Sequence, residues 1–380
     1  MKKILFLSDV DISSPGGAQE SMKILMDKLS NDYEFYLLAP EGERINENHI
    51  ILEGFRDFIL RGKGVLELLK LLRAISNKIK KINPDVIHIQ MPSTLVLVNL
   101  LIKLNMLSKE MKIIYTDRGV YGKYGRITTR SIDSFIRKTD LVVTTTQNNK
   151  DNYKNKYKEY NKYVDKFKVI PNTAGEVYED YNNESRVSLR EKYGIASDLF
   201  VVGFCGRYGE QKNWPLATQI MDQLSGNPKI MFLIVIGTDG TYENQQEVKK
   251  YLNEIEMLVG KKRVLSFVDI PNKKMSDIYY MMDSFILTSK WESFGRTAIE
   301  AMSRKNIVLG TSVDGITEVI GDNNFIFNTP EQAVKILNDL LGKSDDIKVI
   351  KEKFHKRYLN FFGYERNVQM YNTLYQDLLD

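Results

Sequence analysis

Residues 291–302 read Trp-Glu-Ser-Phe-Gly-Arg-Thr-Ala-Ile-Glu-Ala-Met, with Glu292 and Glu300 eight positions apart. The preceding apolar run at 284–287 predicts a short buried strand, and the apolar spacing after Gly295 predicts a helix. We therefore expect Glu292 in a strand-to-helix loop and Glu300 in the second turn of the helix. A strand, a loop and a helix in this order form the repeating unit of a parallel α/β sheet.

The start of this helix predicts a phosphate-binding site. The amides of Gly295, Arg296 and Thr297 are first-turn donors without an intrahelical partner, and negative groups bind well at such a terminus. Gly295 has no Cβ, which lets a ligand approach the backbone. Because carboxylates accept hydrogen bonds from hydroxyl groups, Glu292 and Glu300 on either side of a phosphate indicate a sugar nucleotide as the ligand.

Apolar strand patterns alternate with helical patterns along the whole chain of 380 residues. This alternation predicts an α/β fold with two domains built on parallel sheets. Residues 173–187 are polar and acidic without a core pattern, so we place the linker there. The predicted strands lie at residues 3–8, 33–39, 84–90, 112–116, 141–145, 200–205, 231–236, 263–268, 284–287 and 306–309. The main predicted helices lie at residues 18–29, 60–82, 94–107, 214–224, 243–259, 330–342, 346–358 and 364–379.

Composition narrows the function classes. One cysteine, Cys205, excludes an internal disulfide framework and indicates a reducing compartment. The net charge of +5 is too small to indicate nucleic-acid binding, but it fits an anionic membrane surface or a phosphorylated substrate. The N-terminal apolar run is too short for a signal peptide, and no apolar run approaches the ~20 residues of a spanning helix. We therefore expect a cytoplasmic protein.

Two basic segments, residues 60–82 and 147–168, each leave two interpretations open. The first has an apolar stripe at helical spacing with basic residues elsewhere on the wheel. The second places Tyr153, Tyr157 and Tyr160 on one face of a predicted helix that also carries seven lysines. Either segment could contact a membrane surface. We favour packing of both apolar faces on the protein's own sheet.

Glycine-rich and charged loops follow predicted strands in both halves, where ligands bind in open parallel sheets. Arg207 and Lys212 are five residues apart across a glycine turn, so both could reach one diphosphate. Gly16 and Gly17 stand at the start of the first predicted helix, but the dinucleotide fingerprint is absent, which disfavours a dehydrogenase. We interpret the pattern Asp9-Val-Asp11 as turn chemistry rather than as a metal site.

Taken together, these motifs resemble a retaining glycosyltransferase of family 4 with the GT-B fold, of the type that builds bacterial cell-surface glycans. The paired glutamates with their Arg/Lys clamp are the specific part of the resemblance. The residues that carry it span nearly the whole chain: Gly16-Gly17, 84–88, 169–172, Gly206-Arg207, Lys212-Asn213, 292–295, 300–302, Gly315, Glu318 and 362–365.

The resemblance implies two Rossmann-like domains that face each other across a cleft. Residues 1–175 would bind the acceptor, and residues 186–362 would bind the nucleotide-sugar donor. The final helix, residues 363–380, would cross back to the first domain.

The resemblance also implies roles for individual residues. Arg207 and Lys212 would bind the diphosphate and stabilise the leaving group, Glu300 would bind the ribose, and Glu292 would bind the sugar and steady its positive charge. No metal or other cofactor is implied. Further donor contacts are implied for Gly16, Gly17, Val268, Phe294, Gly295, Arg296 and Thr297.

One position departs from the family pattern. Many relatives carry a histidine at the strand end where this chain has Asp117, and that histidine faces the donor sugar and the acceptor. Aspartate accepts hydrogen bonds from hydroxyls but cannot reproduce an imidazole at neutral pH. We expect Asp117 to act in catalysis or sugar recognition. We expect acceptor contacts in the loop that follows it, at Arg118, Tyr121, Tyr124 and Arg126.

We therefore predict an enzyme that transfers a hexose, with retention of anomeric configuration, to a cell-surface glycan or a lipid-linked saccharide. Its partners would be a nucleotide-diphosphate sugar, this acceptor and an anionic membrane surface on the inner face of the plasma membrane, but no nucleic acid. Two alternatives stay open: a nucleotide-sugar 2-epimerase of the same fold, and a non-catalytic sugar-binding subunit. Donor turnover without an acceptor would favour the epimerase.

Overall fold

A computed structural model of the chain describes residues 1–13, 16–40, 44, 46–52, 64–107 and 110–380. The described chain divides into two compact units, the first formed by Met1–Asn172 with Glu365–Asp380 and the second by Thr173–Tyr364. Each unit is a parallel sheet with helices packed on it. The predicted α/β class with two Rossmann-like sheets is confirmed.

The first unit contains a seven-stranded sheet in the order β3-β2-β1-β4-β5-β6-β7, with all described pairings parallel. Its strands are β1 (Lys2–Leu7), β2 (Tyr33–Ala39), β3 (His49–Ile51), β4 (Val86–Ile89), β5 (Lys112–Asp117), β6 (Leu141–Thr144) and β7 (Phe167–Val169). Its helices are α1 (Gly17–Lys28), α2 (Val65–Ile82), α3 (Pro92–Lys103), α4 (Arg126–Ile136), α5 (Gln147–Lys156) and the last helix of the chain, α14 (Tyr364–Leu379).

Helices cover both faces of this sheet, because successive strand residues point to opposite sides. Buried residues of α2, α3 and α4 pack on one face, and buried residues of α1 and α14 pack on the other. On the α14 side, His88 Nδ1 lies 2.7 Å from the Tyr375 hydroxyl, and His88 Nε2 lies 2.8 Å from Thr116 Oγ1. Burial, and after it the charge of Arg118, lowers the pKa of His88 to about 3. His88 is therefore a neutral sheet residue that fixes the final helix.

The basic segment that forms α2 packs on the sheet, as we favoured. Leu72, Ile75 and Ile79 are buried in the core of the first unit. The helix begins at Val65, and the part of the prediction before residue 64 lies outside the described residues.

The prediction of one helix across 147–168 is wrong, although its tyrosines are buried as we favoured. Helix α5 ends at Lys156, a 3₁₀ helix spans Tyr160–Lys166, and Phe167 begins strand β7. Tyr153, Tyr157 and Tyr160 are at most 5% exposed. The 3–4 spacing comes from several short elements that share one core, so the spacing alone could not reveal the break.

The second unit contains a six-stranded sheet in the order β10-β9-β8-β11-β12-β13, again parallel throughout its described pairings. Its strands are β8 (Phe200–Arg207), β9 (Ile230–Gly237), β10 (Val264–Val268), β11 (Ser284–Leu287), β12 (Ile307–Thr311) and β13 (Ile326–Phe327). Its helices are α6 (Asn183–Lys192), α7 (Trp214–Leu224), α8 (Tyr242–Val259), α9 (Asn272–Met281), α10 (Arg296–Ser303), α11 (Ile316–Ile320), α12 (Pro330–Leu341) and α13 (Ser344–Phe362).

The segment predicted as a linker, 173–187, is instead packed into the second unit. Tyr178 is 3% exposed and belongs to the core. Arg304, which is 2% exposed, donates to the carbonyl oxygens of Tyr178 at 3.1 Å and Asp180 at 3.0 Å and lies 4.6 Å from the centre of the Tyr280 ring. One buried guanidinium thus satisfies the backbone of a polar segment, and a hydrophobic pattern cannot show this.

No helix in the described parts of the chain has both the length and the hydropathy needed to cross a bilayer.

Candidate active site

The strand order of each sheet marks where a ligand can bind. In open α/β sheets, ligands bind beyond the carboxyl ends of the strands, at the point where the strand order reverses. That point lies between β1 and β4 in the first unit and between β8 and β11 in the second. The charged loops predicted from sequence follow these strands.

In the second unit, the loop after β8 is tied to the loop after β11. The amide of Lys290 donates to the Gln211 carbonyl oxygen at 2.8 Å, and Gln211 Nε2 donates to the Trp291 carbonyl oxygen at 3.0 Å. Thr288 Oγ1 donates to the Lys212 carbonyl oxygen at 2.7 Å. These three bonds hold Lys212 against the loop that carries Glu292.

Lys212 and Glu292 form an ion pair at the switch point. Lys212 Nζ lies 2.6 Å from Glu292 Oε2, and the two side chains are 19% and 15% exposed. The backbone of Glu292 is fixed on both sides, since its amide donates to Asp314 Oδ2 at 3.0 Å and its carbonyl accepts from the Gly315 amide at 3.0 Å. Glu292 therefore lies in the strand-to-helix loop, as predicted.

Helix α10 begins beside this pair, and its N-cap residue, Gly295, has no side chain that could cap it. Gly295 has φ of +82°, a left-handed conformation that strains any residue with a Cβ. The Ala298 amide already bonds the Gly295 carbonyl oxygen at 2.9 Å, so the donors left to a ligand are the earlier amides. Thr297 Oγ1 is buried and, among the described residues, has no hydrogen-bond partner. The terminus offers an anion both amide donors and a hydroxyl donor.

Glu300 lies in the second turn of α10, as predicted, and two neighbours hold it. Arg296 Nε lies 3.2 Å from Glu300 Oε1, and the Tyr279 hydroxyl donates to Glu300 Oε2 at 3.0 Å. Arg296 Nη2 also donates to the Ala174 carbonyl oxygen at 2.9 Å. Each carboxylate oxygen has a second lone pair, so Glu300 can still accept from a ligand hydroxyl.

Sequence reasoning missed Tyr279 and Asp314, which orient the two glutamates. Tyr279 lies on α9, far from the motif in sequence, and no local pattern marks it. Asp314 precedes Gly315 in a turn and has φ of +40°, so the Asp-Gly pair indicated the turn but not its partner. Cys205, beside this cluster, is a free thiol, and burial raises its pKa to about 12.

Three further donor predictions, Arg207, Val268 and Phe294, lie in the second unit. Arg207 ends β8 and is exposed, and Val268 ends β10 with 42% exposure. Phe294 is 2% exposed, and its ring packs edge-on against Phe362 at 5.6 Å. The Phe294 side chain therefore belongs to the core, and only its backbone could contact a donor.

In the first unit, Asp117 is enclosed by the protein's own hydrogen-bond donors. It is completely buried at the end of β5 and accepts hydrogen bonds from the hydroxyls of Tyr124 at 2.5 Å and Tyr153 at 2.7 Å. The amide of Gly119 at 3.0 Å, Asn149 Nδ2 at 3.3 Å and the Tyr115 hydroxyl at 3.3 Å complete the set. Loop and helix donors thus occupy the Asp117 carboxylate, which argues against the predicted contact with a sugar.

Tyr121 is also held inside the protein, which argues against its predicted contact with an acceptor. Tyr121 is 1% exposed, stacks on Tyr153 with ring centres 3.9 Å apart and donates to Asp133 at 2.6 Å. Burial, followed by the charge of Asp117, raises the pKa of Tyr124 and Tyr153, so both stay protonated donors. Asp117 thus serves as an anchor for the loop after β5, and Tyr124 is bound to that anchor.

Arg118 and Arg126 differ from the tyrosines. Arg118 is partly buried, with its Nε donating to Gln90 Oε1 at 2.9 Å and its Nη1 bonded to Asn172 Oδ1. Arg126 is exposed at the first position of α4. Both lie at the carboxyl edge of the first sheet, where they stay predicted acceptor contacts.

The first loop of the chain is partly described. Gly16 caps α1 and Gly17 begins it, while Ser14 and Pro15 lie outside the described residues. A Cβ on Gly16 would lie 2.3 Å from Gln19 Oε1, the movable end of a flexible side chain, so Gln19 would have to shift. Asp11 accepts from the amide and hydroxyl of Ser13 at 2.9 and 2.7 Å, which confirms its turn chemistry. In the described parts of the chain, no group of three or more His, Cys, Asp or Glu residues is arranged to hold a metal.

Comparison with known proteins supplies the family. Residues 15–174 match the model of Glycosyltransferase Family 4, and residues 185–357 match the model of Glycosyl transferases group 1. Together the two models cover most of both units. The structure aligns with that of HepE from Anabaena in complex with UDP and glucose, with a TM-score of 0.79, 19% identity and 100% of both chains covered.

Two curated relatives show weaker sequence similarity. The chain is 23% identical over 276 residues to the GPI3 subunit of phosphatidylinositol N-acetylglucosaminyltransferase from Saccharomyces cerevisiae, covering 70% of this chain and 58% of that protein. It is 26% identical over 177 residues to lipopolysaccharide 1,2-N-acetylglucosaminetransferase from Salmonella typhimurium, covering 45% of this chain and 46% of that protein. The matches thus span about half the length of these relatives. From the two family models and the shared architecture, the chain belongs to the glycosyltransferases of the GT-B fold.

Proposed function

We propose that this protein transfers a sugar from a uridine-diphosphate sugar to a lipid-linked or cell-surface saccharide with retention of configuration. The observation that carries the proposal is the Lys212–Glu292 pair, 2.6 Å apart, beside the start of α10 at Gly295. The Lys212 cation and the α10 amides could bind a diphosphate there, and the neighbouring Glu292 carboxylate could bind a sugar. No metal or other cofactor is part of the proposal.

The chemistry follows from where charge develops. As the glycosidic bond breaks, negative charge grows on the departing diphosphate, and Lys212, Arg207 and the α10 amides can stabilise it. Glu292 would lose part of its pairing with Lys212 as the diphosphate arrives, and its carboxylate would then steady positive charge on the sugar ring. A donor phosphate oxygen would take the proton of the acceptor hydroxyl on the same face, so retention needs no protein nucleophile.

The choice of donor rests on the relatives. HepE was solved with UDP and glucose and with UDP-glucose, which makes uridine the first base to test. Both curated relatives carry N-acetylglucosamine transfer in their names, together with a lipid-containing molecule. UDP-N-acetylglucosamine and UDP-glucose are therefore the first two donors to compare. The cytoplasmic location stays a prediction.

Calorimetric titration with UDP, GDP and ADP tests the donor site, with Glu300→Gln as the variant. We expect UDP to bind and Glu300→Gln to weaken it about tenfold or more, because a charged acceptor for a ribose hydroxyl is lost. Glu254→Gln on α8, a carboxylate exposed on the same unit, is the control and should bind UDP like the wild type. Equal affinity in Glu300→Gln, or no binding of any nucleotide, would contradict the proposal.

The anomeric configuration of the product tests whether the transfer proceeds with retention. Proton NMR of the product shows whether the new bond keeps the α or β configuration of the donor. Retention supports the proposal and inversion contradicts it. If the donor is instead turned into its 2-epimer when no acceptor is present, the protein is the epimerase considered above.

An anionic membrane surface is the proposed partner of the first unit. Residues 64–172 carry 21 Lys and Arg against nine Asp and Glu, a net charge of +12, while the whole chain carries only +5. Helices α2, α3 and α4 cover one face of the sheet. Leu66 and Ile127 on two of them are 72% and 80% exposed, and Lys70, Arg73 and Arg130 are also exposed there. Apolar tips among cations suit an anionic lipid surface.

Co-sedimentation with phosphatidylglycerol-containing vesicles tests this surface. We expect binding at low salt that falls strongly at 1 M salt, where the Debye length is about 3 Å. Ile127→Glu should reduce binding severalfold, whereas Met257→Glu, at an apolar residue 78% exposed on the second unit, should not. Equal binding to neutral and anionic vesicles would contradict the charge argument.

A further inference from the structure

The switch point of the first unit contains two buried polar atoms that lack partners among the described residues. They are Gln90 Nε2, just after β4, and Asp9 Oδ1, two residues after β1. Gln90 is completely buried. A donor or acceptor buried without a partner costs about 1–3 kcal/mol, so such atoms are uncommon in folded proteins and call for an explanation.

The orientation of the Gln90 amide is fixed by chemistry. Arg118 Nε donates to Gln90 Oε1 at 2.9 Å, and a guanidinium can only donate. A flipped amide would place two donors against each other, so the oxygen must face Arg118. The nitrogen therefore points away from Arg118, with two hydrogens to donate.

Asp9 offers the complementary atom. Its Oδ2 accepts a hydrogen bond from the Ser93 hydroxyl in the first turn of α3, where a negative charge is favourable. Among the described residues, its Oδ1 has no hydrogen-bond partner and can accept. One side of Asp9 thus holds the helix start, and the other side is available.

The register places the two residues at the same edge of the sheet. Leu7 at the end of β1 pairs with Ile89 at the end of β4. Asp9 and Gln90 therefore leave neighbouring strands at the same edge of the sheet, where strands lie about 4.8 Å apart. This is the switch point of the unit, where open α/β sheets bind their ligands.

The charges and hydrogen-bonding atoms around Asp9 and Gln90 favour one kind of ligand group. Asp9 disfavours an anion there, and Arg118, held against Gln90, disfavours a cation. His88, one residue before the end of β4, adds no charge because it is neutral. A hydroxyl group fits both needs, since it donates one hydrogen bond to a carboxylate and accepts one from an amide.

We propose that Asp9 and Gln90 bind a hydroxyl group of the acceptor saccharide, Asp9 by accepting and Gln90 by donating a hydrogen bond. The inference rests on the proposed transferase function and identifies residues of the first unit that bind the acceptor. It replaces Asp117 and Tyr121, whose polar groups are consumed inside the protein. Arg118 acts as a positioning residue, because it fixes the direction of the Gln90 amide.

Saturation-transfer NMR with a panel of methyl glycosides tests the site directly. The probes are the methyl α- and β-glycosides of glucose, galactose, mannose and N-acetylglucosamine, added with UDP present. We expect at least one glycoside to receive signal from the wild type. Gln90→Met, which keeps the volume but not the donor, should weaken its binding about tenfold, as expected for a lost hydrogen bond in a site built for a hydroxyl. Asp9→Asn should weaken it too.

Asn99→Leu is the matched control. Asn99 is also a buried amide of the first unit, and its Oδ1 has no partner among the described residues, but it lies within α3 and donates to the Ser131 carbonyl oxygen on α4. This variant should bind the glycoside like the wild type. Circular dichroism melting of all three variants separates loss of binding from loss of folding.

Two results would overturn the inference. One is that no glycoside binds the wild type, which would leave Asp9 and Gln90 bridged by a buried water only. The other is that Gln90→Met and Asn99→Leu bind the glycoside alike. Titration of UDP in the same samples keeps the proposals apart: absent UDP binding defeats the transferase proposal, whereas intact UDP binding with unchanged glycoside binding defeats only this inference.

Discussion

Lys212→Met is expected to lower kcat for sugar transfer by about a thousandfold, the upper range for removing one preorganised group that stabilises transition-state charge. Lys212 stands at the β8–β11 switch point, 19% exposed and bonded to Glu292 at 2.6 Å. Its partial burial strengthens its interaction with a departing diphosphate, because the local dielectric is lower than in water. The KM for the donor should rise less than kcat falls, since the charge is greatest in the transition state.

Lys290→Met is the control for this prediction. Lys290 belongs to the neighbouring loop and pairs with Glu210 at 3.1 Å, but its side chain is 45% exposed and points to a rim carboxylate. It should keep activity within about twofold, since exposed pairs contribute little. The double variant Lys212→Met/Glu292→Gln separates folding from catalysis, because it removes the unpaired carboxylate but cannot restore the rate. A Lys212→Met enzyme with wild-type kcat would contradict the assigned role.

Asp283→Asn is expected to lower the free energy of unfolding of the second unit by about 3–5 kcal/mol, the range for removing one partner of a buried ion pair. Asp283 is 7% exposed and accepts from three cations: Arg186 at 2.6 Å, Arg190 at 3.0 Å and Lys351 at 2.5 Å. It also accepts from the Val201 amide at 2.9 Å, which joins strand β8 to the cluster. The variant would leave three cations close together without their anion. Urea titration followed by tryptophan fluorescence measures the change.

The effect of Asp283→Asn should depend on pH in a definite direction. Burial by itself would raise the pKa of Asp283, but Lys351, Arg186 and Arg190 outweigh it, and the pKa lies well below its ordinary range. A carboxyl with a depressed pKa contributes stability above its unfolded pKa, about 3.9, and loses it as the pH falls below that value. The difference between wild type and Asp283→Asn should therefore be full at pH 7 and smaller at pH 3.

Asp339→Asn is the matched control in the same unit. Its partner Lys335 lies 2.6 Å away, but both side chains are more than half exposed, at 76% and 60% for Lys335 and Asp339. The change should stay within about 0.5 kcal/mol, as for other surface pairs. Equal losses from Asp283→Asn and Asp339→Asn would show that burial does not decide the strength of these pairs.

Local patterns were enough for the donor half of the site. The strand at 284–287, the loop with Glu292 and the helix with Glu300 are all contiguous, so hydrophobic spacing and glycine chemistry located them. Sequence patterns could not identify the residues that orient Glu292 and Glu300. Tyr279 comes from another helix, and the bonds of Gln211 to the neighbouring loop depend on which strands are adjacent.

In the first unit, the sequence located the loop after β5 but not the roles of its residues. Its sequence pointed to Asp117 because many relatives carry a sugar-facing histidine at that position. It pointed to the tyrosines because their loop follows a strand at the edge where ligands bind. The fold brings Tyr153 from α5 and Asn149 beside it onto the same carboxylate, 36 and 32 residues away in sequence. A satisfied buried carboxylate and a ligand-binding one look alike in a linear pattern, since only the folded chain shows which donors arrive.

The sequence by itself determined the α/β class, the two parallel sheets and the positions of Glu292, Glu300, Arg207 and Lys212. These follow from periodicity and from chemistry within a few residues. Only the tertiary structure decided that Lys212 pairs with Glu292, that 173–187 belongs to the second unit and that Asp117 is an internal anchor. It also decided that Asp9 and Gln90 each keep a buried atom with no partner in the part of the chain that the structure describes. The physical reason is that hydrogen-bond satisfaction is a property of the neighbours that a fold assembles, and strand order, not chain order, chooses those neighbours.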